Sequence, residues 1–294
     1  MKTIKARSIL QKVRYDGSQW FGIDYSMNLY KGCCHGCIYC DSRSDCYRVD
    51  DFDSVRVKFD ALAILRRELR SRRTIGVVGI GAMSDTYNPF ERELKVTRGA
   101  LELVEEYGFG LSVETKSTLI TRDIDVLERI AAKHSAIAKL TITTADDTLA
   151  RSIEPHAPTS SERFAAVRTL ADAGLFTGVL FTPLLPFITD DDASIDAMID
   201  ATVQSGARFI YALGGVTMRA GQKEYFLEHL ANVSPDMPQR YVDTFGDKYL
   251  CNSPRKREAM AHFRKRCKEA GLLWRMEDIV DAYKKKPAEQ LGLF

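Results

Sequence analysis

The sequence has no long apolar run. No stretch approaches the roughly 20 apolar residues that a membrane-spanning helix needs, so we expect no membrane span. Residues 1–15 lack the apolar core and the small-residue cleavage site of a secretory signal peptide. The sequence also has no internal repeat and no low-complexity tract. These absences predict a cytoplasmic globular protein, whose 294 residues suit one α/β barrel-type domain with an appendage.

Cysteine is scarce outside one short loop. Four of the seven cysteines lie within residues 33–40, and Cys46 follows closely, whereas Cys251 and Cys267 lie far along the chain. An odd number of cysteines grouped in this way is a poor disulfide framework. In a protein that is not secreted, the grouping indicates metal binding or redox chemistry.

Short apolar runs alternate with helical patterns between residues 75 and 213. The runs are rich in β-branched and aromatic residues and are bounded by Gly, Thr or Pro, which is typical of strands. A repeated strand–helix order indicates parallel strands with helices packed outside. We therefore predict the α/β class, with a barrel or partial barrel over residues 1–215. The predicted strands are Ile75–Ile80, Phe109–Val113, Ile137–Ile142, Gly178–Phe181 and Phe209–Leu213, and the predicted helices are Arg92–Tyr107, Asp123–His134, Ser160–Ala173 and Ala193–Ser205.

The pattern changes in residues 216–286. Residues 221–285 show helical patterns alone, and one predicted helix opens at Ser253-Pro254 and runs through Ala270. Residues 248–286 contain twelve Lys or Arg and five Asp or Glu, whereas residues 190–200 contain five acids and no base. The basic region is either a solvated helix face or a surface that attracts nucleic-acid phosphate.

The cysteine loop has the spacing Cys33-x3-Cys37-x2-Cys40. Three thiolates on a short loop can bind three irons of a cubane cluster, because soft sulfur ligands favour iron–sulfur or zinc centres. The fourth iron is then open to an external chelator. Gly32 and Gly36 allow the backbone to wrap tightly around such a cluster.

The alternative for this loop is a structural zinc site. Zinc normally takes four protein ligands, usually as two pairs. Cys34 or His35 could complete such a set, but no second pair lies at the usual distance. Cys34 is not expected to bind the cluster, because its neighbour Cys33 fits the spacing.

The loop, with Tyr39 directly before its last cysteine, resembles the signature of the radical S-adenosylmethionine enzymes. The resemblance implies a partial (β/α)6 barrel and a 4Fe-4S cluster bound by Cys33, Cys37 and Cys40. It also implies S-adenosylmethionine bound to the open iron through its amino and carboxylate groups. In that superfamily, one-electron reduction cleaves the sulfonium and yields a 5′-deoxyadenosyl radical.

Three further segments, 79–91, 114–127 and 140–163, occur in the order found in the spore photoproduct lyase group and its DNA repair photolyase-like relatives. The resemblance covers roughly residues 20–215. It implies that Lys116 contacts the carboxylate of S-adenosylmethionine, to which an ammonium is suited. It also implies that Tyr39 offers its backbone to the adenine. The other cofactor contacts implied by the motifs are Ser84, Asp85, Thr141 and Thr143.

One departure from the lyase pattern matters. Ala82 stands where the lyase has the cysteine that returns a hydrogen atom to the product radical, so we do not expect strict lyase activity. Cys251 is one candidate for a replacement thiol, and its alternative role is packing. Tyr87 is another candidate hydrogen donor, or a stacking surface for a base.

Glu154 and Arg163 match an EP…R pattern of the same group. The motif assigns them no cofactor contact. We interpret the two residues as a salt bridge that braces the barrel.

The last residues, 287–294, form a separate tail after Pro287. Gln290, Leu291, Leu293 and Phe294 resemble the peptide that binds the bacterial sliding clamp, although Gly292 departs from its usual third residue. Two apolar anchors and a terminal aromatic suit a docking peptide. The alternative is an apolar terminus that frays or packs on its own domain.

These observations leave three functional hypotheses. The first is a radical S-adenosylmethionine enzyme that repairs or modifies a nucleobase in DNA, with the DNA bound by the basic region. The second is a radical enzyme that acts on RNA, a protein or a small molecule. The third is a non-catalytic, clamp-associated module with a structural metal.

Overall fold

The computed structural model describes residues 2–14 and 20–285. The strands of these residues, in chain order, are β1 (Lys2–Ile4), β2 (Leu10–Lys12), β3 (Tyr25–Met27), β4 (Tyr30–Lys31), β5 (Arg56–Lys58), β6 (Val77–Ile80), β7 (Gly110–Thr115), β8 (Ala136–Thr141), β9 (Thr177–Leu184), β10 (Phe209–Gly214), β11 (Val216–Thr217) and β12 (Leu250–Cys251). The helices are α1 (Ala61–Arg70), α2 (Glu91–Leu94), α3 (Val96–Glu106), α4 (Ile124–Lys133), α5 (Asp147–Ile153), α6 (Ser160–Asp172), α7 (Asp192–Gln204), α8 (Gln222–Leu230), α9 (Met237–Phe245), α10 (Lys256–Ala270) and α11 (Met276–Tyr283).

The main sheet is a row of parallel strands. Its order is β10-β9-β8-β7-β6-β3-β2, and all neighbours are parallel except β2, which runs antiparallel to β3 at one edge. The six parallel strands confirm the predicted partial (β/α)6 barrel. A small sheet, β1-β5-β4, accompanies the barrel.

Helices connect the parallel strands and cover the outside of the sheet. In α1, Leu65 and Leu69 are buried one helical turn apart, so one face of the helix packs inward. The start of α6 is fixed by a capping box between Thr159 and Glu162. Because all six strands run the same way, their carboxyl ends meet at one mouth of the barrel, where the active sites of α/β barrels lie.

Aromatic and aliphatic side chains close the opposite end of the barrel. Phe21, which precedes β3, packs in one buried cluster with Ile137, at the start of β8, and Phe209, at the start of β10. Ile279 and Tyr283 of α11 belong to the same cluster. This apolar floor leaves only the carboxyl-terminal part of the barrel interior for a site.

The structure corrects the prediction that the region after residue 215 is helical throughout. β11 and β12 form an antiparallel pair in which Val216 is opposite Cys251. The pair consists of two residues per strand, which is too short for a periodic pattern to predict.

The acidic and basic segments of the sequence pack against each other. Asp192, Asp196 and Asp200 of α7 accept from Arg255 at 2.9 Å, His262 at 2.8 Å and Arg266 at 2.9 Å. This part of the basic region is therefore an ion-paired helix interface. These three side chains are therefore less available to phosphate than the DNA hypothesis expects.

Two further predictions concern membrane spans and the C-terminal tail. Among residues 2–14 and 20–285, no helix is long and apolar enough to cross a membrane. The predicted clamp-binding residues Gln290, Leu291, Leu293 and Phe294 lie outside the described residues.

Candidate active site

Three cysteines and the ends of three strands line one pocket of about 110 Å³ at the mouth of the barrel. β6 leads into Ser84 and Asp85, β7 leads into Lys116, and β8 ends at Thr141. The structure thus brings together most of the site residues predicted from the sequence. Those that line the pocket are Cys33, Cys37, Cys40, Ser84, Asp85, Lys116 and Thr141.

The cysteine loop is held by backbone contacts and by the glycine that precedes its first cysteine. The Cys33 N–H donates to the carbonyl of Phe52 at 2.8 Å, and the Ile38 N–H donates to the carbonyl of Ile153 at 3.0 Å. Gly32 has φ +83°, and a Cβ there would lie 2.5 Å from the carbonyl oxygen of Ser54. A side chain at this position would therefore displace the loop.

The three pocket cysteines are suited to binding a cluster. Burial raises the pKa of Cys37 to about 12, although Lys116 opposes the shift, and burial also raises the pKa values of Cys33 and Cys40. Burial alone therefore favours thiols, whereas a cationic iron cluster would favour the thiolates that bind it. Three soft sulfur donors in one cavity fit the 4Fe-4S cluster implied by the loop.

The structure gives no support to a zinc site in this loop. Cys34 does not line the pocket and packs against the main hydrophobic core. His35 Nε2 lies 3.0 Å from Asp85 Oδ2.

Asp85 joins the cysteine loop to the end of β7. Its carboxylate accepts from Thr115 Oγ1 at 2.6 Å, from the Lys116 N–H at 2.8 Å and from the Tyr87 N–H at 2.8 Å. Burial alone would raise the pKa of Asp85, but His35 and these donors outweigh it and lower the pKa to about 2. The carboxylate is thus ionised, and both of its oxygens already accept hydrogen bonds from protein donors.

Lys116 is the half-buried cation of the pocket. Its Nζ lies 5.5 Å from the centroid of the Tyr39 ring. Burial lowers the pKa of Lys116, but Cys37 and Glu154 outweigh it, and the pKa lies above the ordinary lysine value. The lysine is therefore charged and can attract a carboxylate.

A buried network around Glu154 supports this part of the site. Glu154 pairs with Arg163 and accepts from the hydroxyls of Tyr39 and, at 3.2 Å, Thr143. Arg163 also donates to the carbonyl of Thr141 at 2.7 Å. The salt bridge expected between Glu154 and Arg163 is confirmed. Thr143 does not line the pocket, and its hydroxyl is engaged by Glu154.

The structure does not bring Tyr87 and Cys251 to the pocket. Tyr87 is 0% exposed and lies in the main hydrophobic core, because a turn closed by Asp85 directs its ring inward. Cys251, in β12, is 1% exposed and packs in another apolar cluster. These placements do not support the predicted role of either residue as a hydrogen donor, nor a base-stacking role for Tyr87.

Sequence reasoning missed two charged residues inside the barrel. Glu114 and Lys139 are directly opposite each other on β7 and β8, and both line a second chamber beside the cysteine pocket. The signal that could have identified them is the alternation of side chains between the two faces of a strand. Glu114 lies two positions before Lys116, and Lys139 lies two before Thr141, so each pair lies on the same side of its strand.

A partial barrel with three cysteines and a half-buried lysine at its mouth defines an iron–sulfur enzyme-like site. Residues 27–199 match the radical SAM superfamily, and the chain belongs to that superfamily. Its members use a 4Fe-4S cluster and S-adenosylmethionine. An uncharacterised protein of Mycobacterium tuberculosis is 30% identical over 230 residues, which cover 75% of this chain and 67% of the relative. Another, of Methanocaldococcus jannaschii, is 29% identical over 189 residues, which cover 64% of this chain and 68% of the relative.

Solved structures share the fold at low sequence identity. Spore photoproduct lyase, as a mutant with bound AdoMet and dinucleoside spore photoproduct, gives a TM-score of 0.65 at 16% identity, covering 85% of this chain and 75% of that chain. The radical S-adenosylmethionine methyltransferase TsrM from Kitasatospora setae, with tryptophan substrate, gives 0.52 at 14% identity, covering 82% of this chain and 51% of that chain. Both likenesses concern the fold.

Proposed function

We propose that this protein is a radical S-adenosylmethionine enzyme that repairs or modifies a nucleobase in DNA. Cys33, Cys37 and Cys40 bind the cluster, and S-adenosylmethionine occupies the same pocket beside Lys116. When bound and reduced, the two cofactors supply a 5′-deoxyadenosyl radical that abstracts a hydrogen atom from a substrate.

One observation carries the proposal. The three cysteines line a single pocket together with Ser84, Lys116 and the end of β8. The three thiols supply the ligands for three irons, and the Lys116 ammonium supplies the counter-charge for a carboxylate beside the fourth. A structural metal module needs no such cation, so this pocket favours an enzyme.

The residues around the pocket act by positioning. The Asp85 carboxylate accepts from the Lys116 N–H and so fixes the backbone at that residue. The Glu154–Arg163 pair fixes the phenol of Tyr39 and the backbone of Thr141. We propose that Ser84, Thr141 and the Tyr39 backbone contact S-adenosylmethionine directly. Asp85 and Thr143 act through their neighbours, because their polar atoms are engaged by protein groups.

The DNA part of the proposal is supported by the fold shared with a lyase whose structure contains dinucleoside spore photoproduct. Ala82 replaces the hydrogen-donating cysteine implied by the lyase motif, so the product radical must be quenched differently from that in the lyase. The proposed sliding-clamp contact of residues 290–294 would deliver the enzyme to replicating DNA, and it rests on the sequence alone.

The pairing of α10 with α7 favours a second candidate. Because Arg255, His262 and Arg266 are engaged by acids of α7, the basic region offers fewer free charges to DNA. A radical enzyme that acts on a protein or a small molecule would not need them, whereas one that acts on RNA would need them as much as one that acts on DNA.

A DNA-stimulated cleavage assay tests the proposal. The full chain is reconstituted anaerobically and reduced with dithionite, and 5′-deoxyadenosine is measured with ultraviolet-irradiated DNA, undamaged DNA or no DNA. We expect irradiated DNA to raise the yield, and DNA binding to weaken steeply with salt. Equal yields under all three conditions would contradict a DNA substrate, and the second candidate would then be favoured.

A further inference from the structure

The barrel interior contains a second chamber, of about 70 Å³, next to the cysteine pocket. Ala82, Met83 and Glu114 line both cavities, so the two share a wall. A molecule in the chamber would therefore lie directly beside one in the cysteine pocket. The apolar lining of the chamber includes Ile23, Met27 and Ile80, and its polar lining includes Trp20, Ser112 and Lys139.

Lys139 is a buried cation with no spare donor. Its side chain is 1% exposed, and its Nζ donates to Ser112 Oγ at 2.8 Å and lies 3.5 Å from Glu114 Oε2. The Nζ also lies 4.3 Å from the centroid of the Phe21 ring. The three N–H bonds of the ammonium are thus accounted for by a hydroxyl, a carboxylate and an aromatic face.

Glu114 is held through one of its two oxygens. Trp20 Nε1 donates to Oε2 at 3.3 Å, and Oε2 is also the atom nearest to Lys139. Among the described residues, none donates a hydrogen bond to Oε1. The Glu114 side chain is 15% exposed, which is consistent with its position on the wall shared by the two cavities.

The pairing of charges limits what the chamber can bind. Glu114 and Lys139 together are neutral, so an anion entering the chamber would meet the carboxylate without a free cation. An unpaired charge in such an enclosed space is costly, whereas a neutral group with an N–H donor would satisfy Oε1. The apolar walls suit a flat ring, and the two methionines can adapt to its shape.

We propose that Glu114 Oε1 accepts a hydrogen bond from a neutral ring N–H of the substrate, such as the imide N–H of thymine. Lys139 and Trp20 are positioning residues that hold the carboxylate in place. The base then lies inside the barrel, and the phosphodiester stays outside the neutral chamber. This inference rests on the proposed action on DNA and names the part of the nucleotide that is recognised.

Glu114→Gln reverses the polarity at the recognised atom. Because Lys139 and Trp20 are both donors, the new carbonyl faces them and the new NH2 faces the substrate. The glutamine NH2 and the imide N–H, both donors, would then face each other and could not form a hydrogen bond. Glu128→Gln is the matched control, because Glu128 is exposed on α4.

The test measures binding of dinucleoside spore photoproduct, and of the same compound methylated at each thymine N3, to the reconstituted full chain saturated with S-adenosylmethionine. We expect methylation to weaken binding to the wild type and to Glu128→Gln by at least about tenfold, the effect of losing a charge-assisted hydrogen bond. Glu114→Gln should bind both compounds equally weakly. The comparison of the two compounds on the wild type does not depend on the folding of any variant.

Three results would contradict the inference in different ways. If the wild type binds the photoproduct and its methylated form equally, Glu114 does not recognise the imide, but the proposed action on DNA stands. If the wild type binds neither compound, the inference is wrong, and the 5′-deoxyadenosine assay with irradiated and undamaged DNA decides separately whether the proposed action on DNA also fails. A loss of S-adenosylmethionine affinity in Glu114→Gln, with the photoproduct affinity unchanged, would instead assign Glu114 to the cofactor.

Discussion

Arg163 and Glu154 form an ion pair in which both side chains are 0% exposed. Burial alone would raise the pKa of Glu154, but Arg163 and Lys116 outweigh it and lower the pKa. The carboxylate is therefore ionised, and it connects α6 to Tyr39 of the cysteine loop. The pair therefore positions Tyr39 and Thr141, which we propose contact S-adenosylmethionine.

Breaking this pair should destabilise the protein strongly. Arg163→Met leaves the Glu154 charge buried without its cation, which typically costs about 3–5 kcal/mol. The free energy of unfolding from urea titration checks this value. Arg66→Met is the control, because Arg66 and Glu106 form a pair in which the side chains are 56% and 49% exposed, and its loss should cost about 1 kcal/mol or less. Similar losses of unfolding free energy in the two variants would show that the buried pair stabilises the protein no more than an exposed pair does.

Lys116→Ala should weaken S-adenosylmethionine binding while the cluster remains. A charge-assisted hydrogen bond contributes about 1.5–3 kcal/mol, so we expect the dissociation constant to rise by at least about tenfold. Equilibrium dialysis with labelled S-adenosylmethionine measures this change, and iron analysis checks the cluster. Lys268→Ala, on the exposed face of α10, should bind as the wild type does. An unchanged affinity in Lys116→Ala would mean that the lysine does not contact the cofactor.

The N-terminal cap of α7 should make a pH-dependent contribution to stability. Asp191 accepts from the Ser194 N–H at 2.9 Å and from Ser194 Oγ at 2.6 Å. Burial opposes the shift, but these donors outweigh it and lower the pKa of Asp191. The stabilisation is thus present above the ordinary aspartate pKa and is lost as the pH falls through the lowered value.

We therefore expect Asp191→Ala to cost about 1 kcal/mol at pH 7 and less at pH 3. Urea titrations of the variant and the wild type at both pH values measure the difference. Asp243→Ala, in α9, is the control for removing a surface acid. A cost that is the same at pH 7 and pH 3 would contradict a role for the ionised cap.

Removing residues 290–294 should abolish binding to a bacterial sliding clamp. The two apolar anchors gain from burial, but ordering a free pentapeptide offsets much of this gain, so the wild type should bind with a dissociation constant on the order of micromolar. Surface plasmon resonance with the full chain and with residues 1–289 measures the difference. Equal binding by both proteins, or a much lower melting temperature for the shortened one, would contradict a separate docking tail.

Much of the barrel could be predicted because its strands are runs of apolar, β-branched residues. The predicted strands at Phe109–Val113 and Ile137–Ile142 overlap β7 and β8 within two residues at each end. In contrast, β3 has three residues and β12 has two, so neither shows a detectable period. Both depend on partners that are distant in the sequence.

The errors in the candidate site have a common physical cause. Tyr87 is close to Ser84 in sequence, but the turn at Asp85 directs its ring into the core. Glu114 and Lys139 are close because β7 pairs with β8 in one register, which depends on packing around both strands and cannot be inferred from either segment alone. Similarly, the acids of α7 meet the bases of α10 through tertiary packing.

The central claim is that Cys33, Cys37 and Cys40 hold the cluster that cleaves S-adenosylmethionine. The most direct measurement is the iron content and 5′-deoxyadenosine yield of anaerobically reconstituted, dithionite-reduced wild type, Cys37→Ala and Cys34→Ala. We expect about four irons and 5′-deoxyadenosine for the wild type and Cys34→Ala, and loss of both for Cys37→Ala. One equivalent of zinc and no 5′-deoxyadenosine from the wild type, or equal loss of iron in both variants, would contradict the account.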